Sequence, residues 1–146
     1  MKTFWFKPIT WDEQVVAAAL EAGFEAIYVP SEHMKRVKEM SVVRVVGDQE
    51  PADIVLGRDV AEVLITSHED EEKVIAYQGS IPVIIRNKDW TIIPLENLIS
   101  RTRNLIQCVH SAQEAALALH TMERGADGIL LETNDIAEIK KTGALF

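Results

Sequence analysis

The feature that most constrains the fold is the regular alternation of short apolar runs with amphipathic segments along the chain. The runs are rich in Val and Ile and nearly continuous, which is typical of parallel strands buried on both faces. Eight runs are predicted as strands: Thr3–Lys7, Ala26–Val29, Val42–Val46, Asp53–Leu56, Glu62–Thr66, Pro82–Arg86, Leu105–Val109 and Gly128–Leu131. Five segments are predicted as helices: Asp12–Ala22, Glu32–Met40, Glu69–Gln78, Glu114–Arg124 and Asp135–Lys141. This order favours an α/β fold with right-handed crossovers.

An internal repeat refines this prediction. Leu20–Val29 matches Met122–Leu131 at an offset of 102 residues, with helix, glycine, acid, small residue and apolar strand in the same order. Two copies of a βαβα unit predict repeated βα units and a TIM-barrel-like architecture. The alternative is that any two helix-to-strand connections resemble one another to this extent.

The length limits what kind of barrel can form. A complete barrel typically takes about 250 residues, whereas 146 residues leave fewer than 20 for each predicted strand. We therefore expect a single α/β domain over residues 1–146 that is either a compact barrel or an incomplete parallel barrel. The apolar end Ala144–Phe146 indicates an assembly surface, so a homo-oligomer or a missing C-terminal portion is expected.

Composition excludes several classes of function. With 15 basic and 23 acidic side chains the net charge is −8, which disfavours nucleic-acid binding. No stretch of 18 apolar residues suggests a membrane span, and the N-terminus does not resemble a signal peptide. A single cysteine, Cys108, and histidines without zinc-helix spacing predict no metal site. We expect a cytoplasmic protein without nucleic-acid or membrane partners.

Candidate site residues follow from where the predicted strands end. In α/β barrels the chemistry lies at the carboxyl ends of the strands, where this sequence has Lys7, Arg86, Lys88, His110 and Glu132. Lys7 in its apolar neighbourhood can act as a base, a Schiff-base former or an anion clamp, or it can simply pair with a nearby acid. Glu132 is either a general acid or base, or an acid in the first turn of the next helix. His110 is interpreted as a turn residue in preference to a site residue.

One further segment indicates a polar pocket. An apolar run enters Pro94 and a short predicted helix, Leu95–Ile99, which carries Glu96 and Asn97 among apolar neighbours. Burying these two side chains would be costly unless both were hydrogen-bonded, so they are predicted to line a pocket. The sequence contains no glycine-rich phosphate loop and no dinucleotide-binding fingerprint.

The same segment resembles a known family. Ile92–Ile99, read as IIPLENLI, is similar to the IPLENLIA signature of the archaeal-type (second type) 3-dehydroquinate synthases. The resemblance continues in order through nearly the whole chain, and its further matches are Trp11–Glu13, Ala52–Leu56, Ile65–Glu72 and Leu119–Leu131.

The resemblance implies an NAD-dependent enzyme of aromatic amino-acid biosynthesis. Such enzymes oxidatively deaminate 2-amino-3,7-dideoxy-D-threo-hept-6-ulosonate, an amino-deoxy sugar acid, and cyclise the product to 3-dehydroquinate. Hydride loss gives an imine, hydrolysis releases ammonia, and an enolate then attacks a ketone. This chemistry requires a base, an anion clamp and a nicotinamide platform. The roles assigned as hypotheses are base or clamp for Lys7, substrate carboxylate binding for Arg86 or Lys88, proton transfer for Glu132, and pocket shaping for Glu96 and Asn97.

Length is where the chain departs from this family. Family members continue into a longer C-terminal portion, so the chain is expected to be the N-terminal domain of such an enzyme, competent together with the rest. Two alternatives stay open. In the first, the chain is a free-standing, non-catalytic α/β domain for binding or assembly. In the second, it is part of an aminohydroxybenzoate synthase-like enzyme of the same family.

Overall fold

The computed structural model describes residues 2–87 and 94–146. The strands are β1 (Thr3–Lys7), β2 (Ala26–Tyr28), β3 (Arg44–Gly47), β4 (Ile54–Val55), β5 (Ala61–Ile65), β6 (Val83–Asn87), β7 (Leu105–Val109) and β8 (Gly128–Glu132). The helices are α1 (Glu13–Ala22), α2 (Ser31–Met40), α3 (His68–Ile75), α4 (Pro94–Arg101), α5 (Ala112–His120) and α6 (Ile136–Gly143).

All eight strands form one parallel sheet, in the order β4-β3-β2-β1-β8-β7-β6-β5. The sheet curls until its two outermost strands meet, through a parallel bridge between Leu56 and Val60. A hydrogen bond of 2.8 Å from the Tyr28 hydroxyl on β2 to Glu62 Oε1 on β5 crosses the inside of this curl. The prediction of a TIM-barrel-like α/β fold is therefore confirmed.

Two apolar layers hold the sheet. The inner layer fills the curl with buried side chains from or beside every strand: Trp5, Ala26, Val46, Ile54, Val60, Ile84, Ile106, Cys108 and Leu130. The larger outer layer packs the helices against the sheet and includes Phe6, Ile27, Ile85, Leu131 and Ile139. Because side chains alternate across a strand, Trp5 and Phe6 enter different layers. Buried faces on both sides explain the nearly continuous apolar strands.

The chain is short for such a fold because two of its connections carry no helix. Residues 48–53 link β3 to β4, and residues 56–60 link β4 to β5, and neither connection contains a helix. Omitting two covering helices brings the chain down to fewer than 20 residues for each strand. No helix among the described residues has both the length and the apolar character needed to span a membrane.

The predicted elements are all present, with shifts at their ends. The largest shift is in α5, predicted as Glu114–Arg124 but ending at His120, because Met122 and Glu123 have positive φ angles of 53° and 64°. Asp12 caps α1 by accepting a 2.9 Å hydrogen bond from the Gln14 N–H.

The 102-residue repeat in the sequence corresponds to two βαβα units in the structure. β1 and β7 begin and end 102 residues apart, and each opens a βαβα unit that continues through a helix, a second strand and another helix. The two units are adjacent in the sheet because β1 pairs with β8. The prediction was wrong in one detail, since Met122 lies beyond the end of α5 and not within a helix.

The turn after α5 requires glycine at position 125. Its φ is +70°, and a Cβ there would collide with the backbone of Leu119. Gly57, in the turn between β4 and β5, also has a positive φ of +88° but has open space around it. We expect Gly125→Ala to lower the free energy of unfolding by about 3 kcal/mol or more, and Gly57→Ala by about 1 kcal/mol. Urea denaturation of both variants measures this difference, and equal losses would contradict the close approach of Gly125 to Leu119.

Candidate functional site at the carboxyl ends of the strands

A cluster of charged side chains lies inside the curl where the parallel strands end. Lys7 is the last residue of β1 and Glu132 the last residue of β8, and the two are partners in the β1–β8 register. Lys7 Nζ lies 3.2 Å from Glu132 Oε2 and 5.3 Å from the centroid of the Tyr28 ring, within the range of a cation–π contact. The strand ends therefore place Lys7 between an anion and an aromatic face.

Arg86, on β6, joins two carboxylates in this cluster. Its Nη1 donates to Glu132 Oε1 at 3.0 Å, and its Nε donates to Glu62 Oε2 on β5. Nη1 also lies 3.3 Å from the Cys108 sulfur. Among residues 2–87 and 94–146, no group accepts a hydrogen bond from Arg86 Nη2, which leaves one edge of the guanidinium for a ligand.

The charges keep Glu132 ionised. Burial raises the pKa of Glu132, but the hydrogen bond and charge of Arg86, followed by those of Lys7, outweigh burial and bring this pKa below its usual value. Its side chain is only 17% exposed. Burial and the hydrogen bond to Glu62 raise the pKa of Tyr28, so this hydroxyl stays protonated near neutral pH. Glu132 is thus a fixed anion that organises the cations around it.

His110, just after β7, completes the cluster. Its Nε2 lies 3.2 Å from Glu132 Oε1, and its Nδ1 lies 3.5 Å from Glu114 Oε1 in the first turn of α5. The backbone N–H of His110 donates to the same Glu114 oxygen at 2.9 Å. Ser111 accepts from the Glu114 N–H as the cap of α5, so the helix start fixes the carboxylate beside the ring.

A cavity of about 270 Å³ opens beside these groups. It is lined by Leu64, Arg86, Asn87, Cys108 and His110. Pockets for drug-sized ligands usually measure about 300–1,000 Å³, so this cavity is of a size for a small molecule and is small for a dinucleotide.

Three possible metal ligands also meet here. Ligand atoms of Cys108, His110 and Glu132 lie within 4.8 Å of one another. The guanidinium of Arg86 contacts both Cys108 and Glu132, and Lys7 adds a second positive charge, so a divalent cation would be repelled. Burial also raises the pKa of the Cys108 thiol to about 12, whereas metals bind the thiolate. The arrangement does not favour a metal ion.

The structure brings together only some of the predicted site residues. Lys7, Arg86 and Glu132 meet in one network, while Lys88 lies outside the described residues. Glu96 and Asn97 are exposed on α4, and the expectation that they line a pocket stays a prediction. Their neighbours Leu95 and Leu98 take the buried face of the helix, and Asn97 Nδ2 donates to Glu71 Oε1 on α3 at 2.7 Å. No hydrogen bond or ion pair between described residues links Glu96 or Asn97 to the charged cluster.

Sequence reasoning missed Glu62 and Tyr28. Both belong to predicted strands, and a charged residue on an otherwise apolar strand was the available signal for Glu62. The hydrogen bond between them could not be predicted from the sequence, because they lie 34 residues apart and meet only across the inside of the curled sheet.

The lowered pKa of Glu132 gives a stability prediction with a defined pH dependence. Glu132→Gln removes an anion from two cations, and we expect a loss of about 1–3 kcal/mol in the free energy of unfolding at pH 7. A lowered folded-state pKa means that the stabilisation is complete above the usual carboxyl pKa and disappears as the pH falls through the lowered value.

Urea unfolding at pH 7 and at successively lower pH checks this prediction. The gap between wild type and Glu132→Gln should close in acid, whereas Glu21→Gln, at an exposed position on α1, should behave like wild type throughout. A gap that does not change with pH would mean that the ion pairs contribute nothing.

Comparison with known proteins places the chain in a family. The family model described as the 3-dehydroquinate synthase II N-terminal domain matches residues 1–146. A 3-dehydroquinate synthase homolog of Aquifex aeolicus is 42% identical over 146 residues, which cover 99% of this chain and 44% of that relative. The 3-dehydroquinate synthase of Methanoculleus marisnigri is 39% identical over 141 residues, covering 97% of this chain and 42% of that protein. The chain spans less than half the length of these relatives.

Solved structures agree on the fold. Phosphoribosyl anthranilate isomerase from Thermotoga maritima superposes with a TM-score of 0.75 at 14% identity, covering 97% of each chain. A monomeric form of the same enzyme gives a TM-score of 0.76 at 15% identity, covering 97% of this chain and 96% of that one. At such identities the likeness concerns the barrel architecture alone. The match over all 146 residues and the sequence identity to the relatives show that the chain belongs to the 3-dehydroquinate synthase II family and corresponds to its N-terminal domain.

Proposed function

We propose that this chain is the N-terminal domain of an enzyme that converts 2-amino-3,7-dideoxy-D-threo-hept-6-ulosonate to 3-dehydroquinate with NAD as oxidant. The observation that carries the proposal is the network of Lys7, Arg86, Glu132 and His110 at the carboxyl ends of the strands, beside a cavity of sugar-acid size. This is the end of a parallel barrel at which active sites form. Family membership supplies the reaction class.

The two cations are proposed to bind the anionic groups of the substrate. Arg86 lines the cavity, and no described residue accepts a hydrogen bond from its Nη2, so it suits the substrate carboxylate, which a guanidinium binds in a planar, directional way. Lys7 is 22% exposed and is held by Glu132, a geometry that supports an anion clamp more than a base. Glu132 is proposed to take part in proton transfer while it holds both cations. Lys88, Glu96 and Asn97 remain proposed substrate-binding residues.

NAD is proposed as the hydride acceptor in the deamination half of the reaction. Since the described cavity does not accommodate a dinucleotide, we propose that NAD binds mainly against parts of the full-length enzyme that this chain does not span, or at an interface between copies. A cytoplasmic location and the lack of nucleic-acid and membrane partners are part of the proposal, and the net charge of −8 supports it for nucleic acids.

The first test is the activity of the natural full-length protein. With NAD and the amino-deoxy sugar acid, we expect NADH, ammonia and 3-dehydroquinate to form in equal amounts, measured by absorbance, ammonia assay and mass spectrometry. A protein that releases none of the three would contradict the proposal and favour a non-catalytic binding domain. Formation of an aminohydroxybenzoate from a related precursor would instead assign the other branch of the family.

The role of Arg86 is tested by Arg86→Lys. Lysine keeps the charge but loses the planar pair of donors, so we expect the KM for the sugar acid to rise about 10- to 100-fold, the equivalent of losing a charged hydrogen bond. The KM for NAD should not change. Arg101→Lys is the matched control, because Arg101 pairs with Glu72 between α4 and α3, outside the cluster. A wild-type KM in Arg86→Lys would remove Arg86 from substrate binding.

A further inference from the structure

His110 differs from the other members of the charged cluster in its access to the cavity. Its side chain is 50% exposed and lines the cavity, whereas Glu132 is 17% exposed and is engaged by Lys7 and Arg86. Both flanking cations are committed to carboxylates. Within the described part of the cluster, His110 is therefore the group best placed to exchange a proton with a molecule in the cavity.

The surroundings of the ring suit this task. Nε2 lies at hydrogen-bond distance from Glu132, while Nδ1 is 3.5 Å from Glu114, beyond the usual range for a hydrogen bond. With the Nε2 proton donated to Glu132, the lone pair is on Nδ1, where a substrate proton can be taken up. Glu132 then orients the ring and stabilises the positive charge that forms, as a carboxylate does for a catalytic histidine elsewhere.

We propose that His110 is the general base and then the general acid of the ring-closing step, with Glu132 as its positioning residue. The assignment rests on the proposed function, since it names the group that performs one step of that reaction. Sequence reasoning favoured a turn residue here. The strand register and the cavity are what bring the ring to the reacting end of the barrel.

The step needs no external oxidant or co-reactant. After deamination the substrate carries a methyl ketone at one end and a 2-oxo acid at the other. His110 takes a proton from the methyl group, and the electron pair of that C–H bond forms the enolate. The enolate carbon attacks the 2-oxo carbon, so that a C–C bond forms and the carbonyl π pair moves onto oxygen as an alkoxide. The imidazolium returns its proton to the alkoxide, and the net change is an isomerisation.

The remaining residues of the cluster fit the charges that appear in this step. Negative charge develops first on the enolate oxygen and then on the alkoxide next to the substrate carboxylate. Lys7 and Arg86 supply fixed positive charges at the same strand ends, and such preorganised charges stabilise a developing oxyanion. Proton transfer and charge stabilisation for ring closure thus come from this chain alone.

The test separates the two halves of the reaction in the full-length enzyme. We expect His110→Gln, which keeps a side-chain amide near Glu132 but cannot carry the proton, to retain NADH formation and ammonia release. Its initial rate of 3-dehydroquinate formation should fall about 100-fold or more, the usual contribution of general acid–base catalysis. The uncyclised diketo acid should accumulate. His120→Gln, at the exposed end of α5, is the matched control and should behave like wild type.

A second measurement tests proton abstraction by His110 without NAD and without ring closure. The sugar acid already carries the methyl ketone, so wild-type enzyme without NAD should catalyse exchange of its methyl protons in D₂O, followed by NMR. His110→Gln and His110→Asn should lose this exchange while they keep the wild-type melting temperature. Two variants are used so that one failure to fold does not decide the result.

The outcomes distinguish the two proposals. A wild-type enzyme that forms neither NADH nor 3-dehydroquinate would overturn the proposed function, and the role of His110 with it. A wild-type enzyme that forms both, alongside a His110→Gln enzyme that cyclises and exchanges at the wild-type rate, would overturn the role of His110 alone. Equal loss of both halves in a folded His110→Gln variant would also overturn it, because His110 would then support binding in general.

Discussion

The carboxylate of Glu132 is the interaction on which the site depends. It is shared by an ammonium, a guanidinium and an imidazole that come from three different strand ends, namely Lys7, Arg86 and His110. The hydrogen bonds and charges of Arg86 and then of Lys7 outweigh the cost of burying this carboxylate, so its pKa lies below the usual value and it stays ionised. Without this anion, two cations would face each other across the mouth of the barrel. The network is therefore both a structural constraint and the basis of the proposed chemistry.

The sheet makes this network possible with few residues. Pairing of β1 with β8 sets Lys7 directly beside Glu132, and the curl of the sheet brings Tyr28 to Glu62. The two connections without helices lie on the side of β3, β4 and β5, whereas the strands that carry Lys7, Arg86 and Glu132 keep their covering helices. Rigid, doubly covered strands hold side-chain positions more closely than loops do. The connections without helices thus lie away from the strands of Lys7, Arg86 and Glu132.

The same geometry separates the two halves of the proposed reaction, ring closure and hydride transfer. Ring closure needs a proton carrier and positive charge for an oxyanion, and both are present within a few ångströms of each other. Hydride transfer needs a dinucleotide site, which the described cavity is too small to provide. The relatives are more than twice as long as this chain. Their additional length is consistent with the proposal that NAD binds to parts of the enzyme outside this chain.

The sequence by itself determined the α/β class, the order of strands and helices along the chain, the 102-residue repeat and the family. Apolar periodicity and local motifs lie in consecutive residues and can be recognised without the tertiary structure. It also placed Lys7, Arg86 and Glu132 at strand ends. It did not determine the surroundings of Glu96 and Asn97, because their apolar sequence neighbours Leu95 and Leu98 lie on the opposite, buried face of α4. Only the tertiary structure decided that Glu62 supports Arg86, that Glu132 is shared, and that His110 lines the cavity. Those contacts join residues 22 to 46 positions apart, and the pairing of neighbouring strands in the sheet, not any local pattern, brings them together.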